Sequence, residues 1–137
     1  MALTFSDVVR NAILDAIETA IGTSAKLKIR TGAAPTNVGA ASTGTVLATL
    51  DLPSDWMANA ASGSKAKAGT WQDTSADGIG TAAHYEITAS DGTTVHLRGS
   101  VTATGGGGDI EVDNTSFVAG QSFAISSYNW TGPGAGS

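Results

Sequence analysis

The chain has 137 residues, no cysteine, 14% charged residues and a formal net charge of −5. No disulfide framework or thiolate metal site can form, and an acidic chain with only seven Lys and Arg is poorly suited to neutralising nucleic-acid phosphates. No run of about 18 apolar residues exists to span a membrane.

The first stretch, MALTFSDVVRNAILDAIETAIG, is not expected to act as a signal peptide. It lacks a basic leader, and Asp7, Asp15 and Glu18 break its apolar run. Its apolar residues recur at Phe5, Val8, Val9, Ala12, Ile13, Ala16, Ile17, Ala20 and Ile21. That spacing predicts a helix over residues 4–21 with one buried stripe. Thr4 is the expected cap, Asp7 suits the first turn, and Gly22 is placed to end the helix. Arg10, Asn11, Asp15 and Glu18 fall on the other side. The stripe has two candidate partners, the chain's own core or a neighbouring subunit.

From Lys26 the period changes to two. Leu27 and Ile29 are expected inward, with Lys26, Lys28 and Arg30 outward, as in a half-buried strand. Residues 32–44 show no period and form a long loop of the kind that tends to be functional or mobile. The next strand places Val46, Ala48, Leu50 and Leu52 on one face and stops at Pro53. Trp56 and Met57 follow, either plugging the core or anchoring a partner, since Trp is enriched at interface hot spots. A third strand is expected to point Ala66 and Ala68 inward and Lys65 and Lys67 outward, with Gly69 marking a bulge beside Trp71.

The strongest strand pair is TAAHYEITAS and TTVHLRGSVTA. A three-residue loop, Ser90-Asp91-Gly92, would set Ile87 against Val95, Tyr85 against Leu97 and Ala83 against Gly99. The opposite face would then pair Glu86 with His96 and His84 with Arg98, as a solvated polar face. The two histidines and Glu86 are a conceivable metal set, but the outer face of a sheet offers no pocket, and no metal or cofactor is expected. The glycine run 105–108 reads as a flexible link with no helix after it to hold phosphate. Residues 109–130 supply the last strands, and residues 133–137 a mobile tail. No Ser/His or Cys/His constellation is visible, so the chain is not expected to be an enzyme.

These elements predict a mainly β protein, an antiparallel β-sandwich or jelly roll with one N-terminal α-helix, in a single domain over residues 1–132. The candidate partner-binding residues are Trp56, Met57, Trp130 and the cations Lys26, Lys28, Arg30, Lys65 and Lys67. If their strands adjoin, the cations form either an edge-protecting lysine row or a basic stripe that docks an acidic surface.

Five stretches carry a resemblance across about 120 residues: MALTFSDVVRNAILDAI, LKIRTGAAP, GTVLATLDL, GTAAHYEITASDGTTVHLRGSV and FVAGQSFAISSYNWTGP. In this order and spacing the chain resembles small virion proteins of tailed bacteriophages, with a longer Ser54–Gly63 segment. The resemblance implies a head decoration (cement) protein made in the host cytoplasm and placed on the capsid exterior. It would bridge capsomers of the major capsid protein, with the helix, the 32–44 loop, the Trp56 segment and the tail as contact elements, and self-associate, most simply as a two-fold dimer. A tail-tube or neck subunit is one alternative. A carbohydrate-binding module stacking sugars on Trp56, Trp71, Tyr128 and Trp130 is another.

Overall fold

A computed structural model describes residues 3–134. Its one helix, α1 (Asp7–Ile21), is capped by Ser6, whose hydroxyl accepts the Val9 N–H, so the cap is not the expected Thr4. It ends as expected at Gly22, which takes a φ of 96° and donates its N–H to the Glu18 carbonyl. Ten strands follow: β1 (Lys26–Thr31), β2 (Val46–Asp51), β3 (Ser64–Ala66), β4 (Trp71–Asp73), β5 (Gly80–Thr88), β6 (Val95–Ala103), β7 (Ile110–Val112), β8 (Ser116–Phe117), β9 (Phe123–Ile125) and β10 (Asn129–Thr131). The protein is therefore mainly β with one N-terminal helix.

The main sheet runs β2-β1-β5-β6-β7, and β8 adds to the start of β5. Two short antiparallel ladders, β3 with β10 and β4 with β9, complete a sandwich-like body. Trp71, Phe123 and Ile125 from the β4–β9 ladder join Leu27, Ile29, Tyr85 and Ile87 of the main sheet in one core. Residues 133 and 134 are also part of this body, because the Gly134 carbonyl accepts the Phe5 N–H. The rest of the expected tail, 135–137, lies outside the described residues.

The main sheet is antiparallel except at β6–β7, which pair in parallel. Parallel neighbours ordinarily need a crossover of a dozen or more residues, yet only residues 104–109 intervene. The glycine run makes this reversal. Gly105 and Gly107 adopt φ values of 88° and 80°, and their N–H groups donate to the Glu111 carboxylate at 3.0 and 3.2 Å. The expected flexible link is thus a pinned turn.

The β5–β6 register is two residues beyond the expected one, with Ile87 opposite Leu97, Tyr85 opposite Gly99 and Glu86 opposite Arg98. Two features lengthen the connection. A bulge sits between Ile87 and Thr88, and the Asp91 carboxylate accepts the Thr93 and Thr94 N–H groups and the Thr94 hydroxyl. These bonds hold the Asp91 carboxyl below the ordinary carboxylate range. A shift of two keeps every side chain on its expected face. It also places Tyr85 over Gly99, where a Cβ would sit 2.5 Å from the Tyr85 ring.

The largest departure is the rotation of α1. Its buried residues are Arg10, Leu14 and Ile21, while Val8, Val9, Ala12, Ala16, Ile17 and Ala20 face outward. A polar seam dictates this. Arg10 donates to the Gly132 and Gly63 carbonyls, and Asn11 accepts the Gly63 N–H at 2.8 Å. Asp15 accepts the Ala60 N–H at 3.0 Å and Lys65 Nζ at 2.6 Å, and Glu18 lies 2.8 Å from the same ammonium. Lys65 is 2% exposed and Ala66 is exposed, the reverse of the alternation expected for β3. Burial alone would lower the Lys65 ammonium, but the hydrogen bonds it donates to the Asp15 and Glu18 carboxylates hold it above its ordinary value. The same Lys65 hydrogen bond keeps the Asp15 carboxyl below its own.

Removing one partner of a buried ion pair costs about 3–5 kcal/mol. Asp15 keeps 48% of its side chain in water, so Lys65→Ala belongs at the low end, a loss of about 3 kcal/mol in chemical unfolding. Lys65→Met, which restores the volume without the charge, is expected to recover less than half of that loss. Full recovery by Met would show that packing, rather than the ion cluster, seats the helix.

Candidate interaction surface

The four charged residues of α1 are Asp7, Arg10, Asp15 and Glu18, and every one is in an ion pair. At roughly 100° per residue they fall within about 140° of the helix circumference. The remaining arc carries no charge. Val8 is 78% exposed, Val9 42% and Ile17 36%, with Ala12, Ala16, Thr19 and Ala20 also exposed between and beside them. Helices on globular surfaces ordinarily turn charged residues outward. Here the order is inverted, and each valine-sized side chain left in water forgoes roughly 1.5–3 kcal/mol of burial.

The arc leads into a groove of about 540 Å³ at the C-terminal end of the helix, lined by Ile17, Ala20, Ile21, Leu97, Tyr128 and Trp130, with Tyr85 at the same wall. His96, Arg98 and Asp109 supply its polar lining. An aromatic cluster makes the floor. Trp130 stands edge-on to Trp56 at 5.7 Å, and Tyr128 lies 5.4 Å from Trp71 and edge-on to Tyr85 at 5.7 Å. The Tyr85 and Tyr128 hydroxyls meet at 2.7 Å, and the Trp130 ring N–H donates to Tyr128 at 2.8 Å. Burial pushes both phenols above their ordinary range.

The residues expected to bind partners are divided by this arrangement. Trp56 and Met57 are 0% and 1% exposed, and the Trp56 ring N–H donates to the Gly22 carbonyl. They hold the core together and cannot anchor a partner, because their aromatic and apolar neighbours already surround them. Trp130 is half-buried and lines the groove, so it alone of the three remains available. The carbohydrate reading likewise keeps Trp130 only, since Trp71 and Tyr128 are 1% and 4% exposed.

The stripe expected from adjoining strands is not formed by β1 and β3, which belong to different sheets. The cations are also engaged. Lys26 pairs with Asp51, Arg30 with Glu86, and Lys65 with Asp15 and Glu18. Lys28 donates to the Gly92 carbonyl at 2.6 Å, and Lys67 donates to the Gly69 carbonyl and lies 5.7 Å from the Trp71 ring centroid.

The polar face of β5 is not solvated. His84, Glu86 and Thr88 are at most 1% exposed, and the 32–44 loop folds across the first two, with Gly32 at His84 and Ser42 at Glu86. Arg98 organises that loop, donating to the Asn37, Val38 and Ala40 carbonyls and the Ser42 hydroxyl at 2.9–3.1 Å. Glu86 binds Ser42 at 2.8 Å, Arg30 at 2.8 Å and Arg98 at 3.4 Å. His84 meets the Gly32 carbonyl at 2.7 Å. A second cleft of about 410 Å³ remains between the loop and residues 98–100. Among the described residues, no three His, Asp or Glu side chains are grouped to hold a metal ion, and no helix is long and apolar enough to cross a membrane.

A scan against known protein families, a search of curated proteins and a search of solved structures each find no match to this chain.

Burial pushes the Glu86 carboxyl up, but the Ser42 hydroxyl, Arg30 and Arg98 outweigh it and hold it below its ordinary value of 4.5. A carboxyl depressed on folding contributes its stability above the unfolded value and loses it as pH falls through the folded one. Glu86→Gln is therefore expected to cost roughly 2 kcal/mol at neutral pH, the scale of a hydrogen bond to a charged group. Its deficit relative to the parent protein should shrink as pH falls below 4.5. Denaturant midpoints measured across pH check this, and a deficit independent of pH would remove Glu86 from the loop clamp.

Proposed function

We propose that the chain is a structural subunit of a tailed-bacteriophage virion, of the head-decoration type, that works by contact with neighbouring shell subunits and makes no bonds. The observation that carries this reading is the uncharged outward arc of α1 and the groove it enters. An exposed contiguous apolar surface of this kind marks an interaction site. The five sequence stretches that resemble phage virion proteins supply the class of assembly.

The mechanism follows from area. A subunit bridging capsomers must be detached before the lattice can open, so each buried contact adds to the barrier against expansion. Standard interfaces bury about 1,600 Å² in total, and symmetry-repeated copies make modest affinities sufficient. The major capsid protein is the partner in this reading, and the helix arc, not the cations, is the gripping surface. A tail tube built by strand addition fits the fold less well. The outer edge of β2 is already occupied, with the Thr49 N–H donating to Asp73 and the Leu47 carbonyl accepting from Asp77 and Gly78.

The test uses expanded phage heads assembled without the protein and then supplemented with it. Supplemented heads are expected to retain their DNA to a temperature several degrees higher, and Ala16→Glu protein to give no such gain. Heads equally heat-resistant with and without the protein would overturn the reading. Purified protein that polymerises into tubes would transfer it to the tail.

A further inference from the structure

We infer that the groove at the C-terminal end of α1 is a socket for a tyrosine side chain of the docked neighbour, its hydroxyl held between the Tyr85–Tyr128 pair and the Asp109 carboxylate. This deepens the docking reading above and rests on it for the surface involved. The groove opens from the uncharged arc, so a group that enters it projects from a surface laid along α1.

The aromatic floor has one hydrogen-bond donor too many. The Trp130 ring N–H and the Tyr85 and Tyr128 hydroxyls are three donors, and they make two bonds. The indole donates to the Tyr128 oxygen, and the two hydroxyls share the other bond. Whichever phenol donates in that pair, the hydrogen of the other has no acceptor among the described residues. Tyr85 and Tyr128 are 3% and 4% exposed, and both border the groove. A buried O–H without an acceptor is costly.

An unused acceptor stands beside it. Asp109 is on the same lining and forms no ion pair among the described residues. Its Oδ2 accepts the Ser100 N–H at 3.0 Å and the Ser100 hydroxyl at 3.4 Å, while Oδ1 accepts from no described group. Gly99 lets the carboxylate and the phenol approach each other. A Cβ there would sit 2.6 Å from Asp109 Oδ2 and 2.6 Å from the Tyr85 hydroxyl. The Asp109 charge also adds to the burial that holds both phenols above their ordinary range. Arg98 borders the groove too, but its five N–H groups are spent on Glu86, Ser42 and three loop carbonyls. His96 is exposed and completes the polar lining.

The occupant must therefore accept from a phenol and donate to a carboxylate at once. An ammonium or guanidinium only donates, and a carboxylate only accepts and meets the Asp109 charge. A neutral hydroxyl or amide does both. The rest of the lining, Ile17, Ala20, Leu97 and Trp130, is apolar and aromatic. It suits a ring that carries the hydroxyl, and not a short amide or aliphatic alcohol. Tyrosine is the side chain with both features, and it is enriched at interface centres.

The probe is p-cresol, the tyrosine side chain alone, titrated into the full chain at neutral pH while the Trp130 indole N–H is followed by NMR. The control is p-methylanisole, whose ether oxygen accepts but cannot donate. p-Cresol is expected to bind about tenfold more tightly or better, the scale of one hydrogen bond to a charged acceptor, although the ether is the more apolar molecule. Asp109→Ala should abolish that preference, and Asp109→Asn, which keeps an uncharged acceptor oxygen, should retain part of it. Asp109 is exposed, so both variants should keep the parent's indole spectrum before titration. Equal binding of the two probes, a preference untouched by Asp109→Ala, or no shift at Trp130 would each overturn the proposal. If p-cresol fails to bind but Ala16→Glu still abolishes the heat resistance of supplemented heads, the socket fails and the decoration reading stands. The expected p-cresol preference, with heads that gain nothing from the protein, reverses that outcome.

Discussion

One buried ammonium decides which way the helix faces. Lys65 has water on almost none of its surface, and a charge in that position demands carboxylates at close range. Asp15 and Glu18 lie within 2.8 Å of it. They are three residues apart on α1, so meeting both fixes the rotation of the helix about its axis. Arg10 and Asn11 then fall on the same side and satisfy the backbone of Gly63 and Gly132. Gly63 itself is required there, with a φ of 74° and no room for a Cβ beside the Arg10 guanidinium. Once this seam is made, the apolar arc has nowhere to go but outward.

Hydrophobic burial and ion pairing compete for the same helix. Turning the apolar stripe inward would gain its burial but strand Lys65 without its carboxylates. An unpaired buried charge costs several kcal/mol, and turning the helix would also break the Arg10 and Asn11 bonds to Gly63 and Gly132, which together offset the roughly 1.5–3 kcal/mol that each of Val8, Val9 and Ile17 would recover. The arrangement therefore keeps the seam and leaves the arc in water.

The class of fold was legible because alternation and 3.6-residue spacing are local signals. Leu27, Ile29 and Leu50 are buried where period two places them, and α1 ends at Gly22. What escaped was every decision made by a distant partner. The polar side of α1 looks solvent-facing until Lys65, 50 residues along the chain from Asp15, is seen beneath it. Glu86 and Arg98 look like an open polar face until the 32–44 loop is seen to use them as its core. The glycine run looks slack until Glu111 fills its N–H groups. Trp130 was singled out as a contact residue and does border the groove, whereas Leu97 and the outward set of α1 could be found only after the helix rotation was known. The one clue in the sequence was that all four charges of α1 share a side. That pattern is symmetric to inversion and cannot say which side is buried.

The two halves of the surface are held in different ways as a consequence. On the β5 side, a single guanidinium holds three loop carbonyls and a hydroxyl, so a segment with no secondary structure is fixed along its length. On the α1 side, backbone and ion-pair contacts secure the helix from below and leave its outer surface untouched. A rigid platform with an exposed apolar arc loses little entropy when that arc is covered, because its side chains are valine, alanine and isoleucine with few rotamers to freeze. The net charge of −5 works in the opposite sense, since it adds a long-range repulsion between copies of the chain.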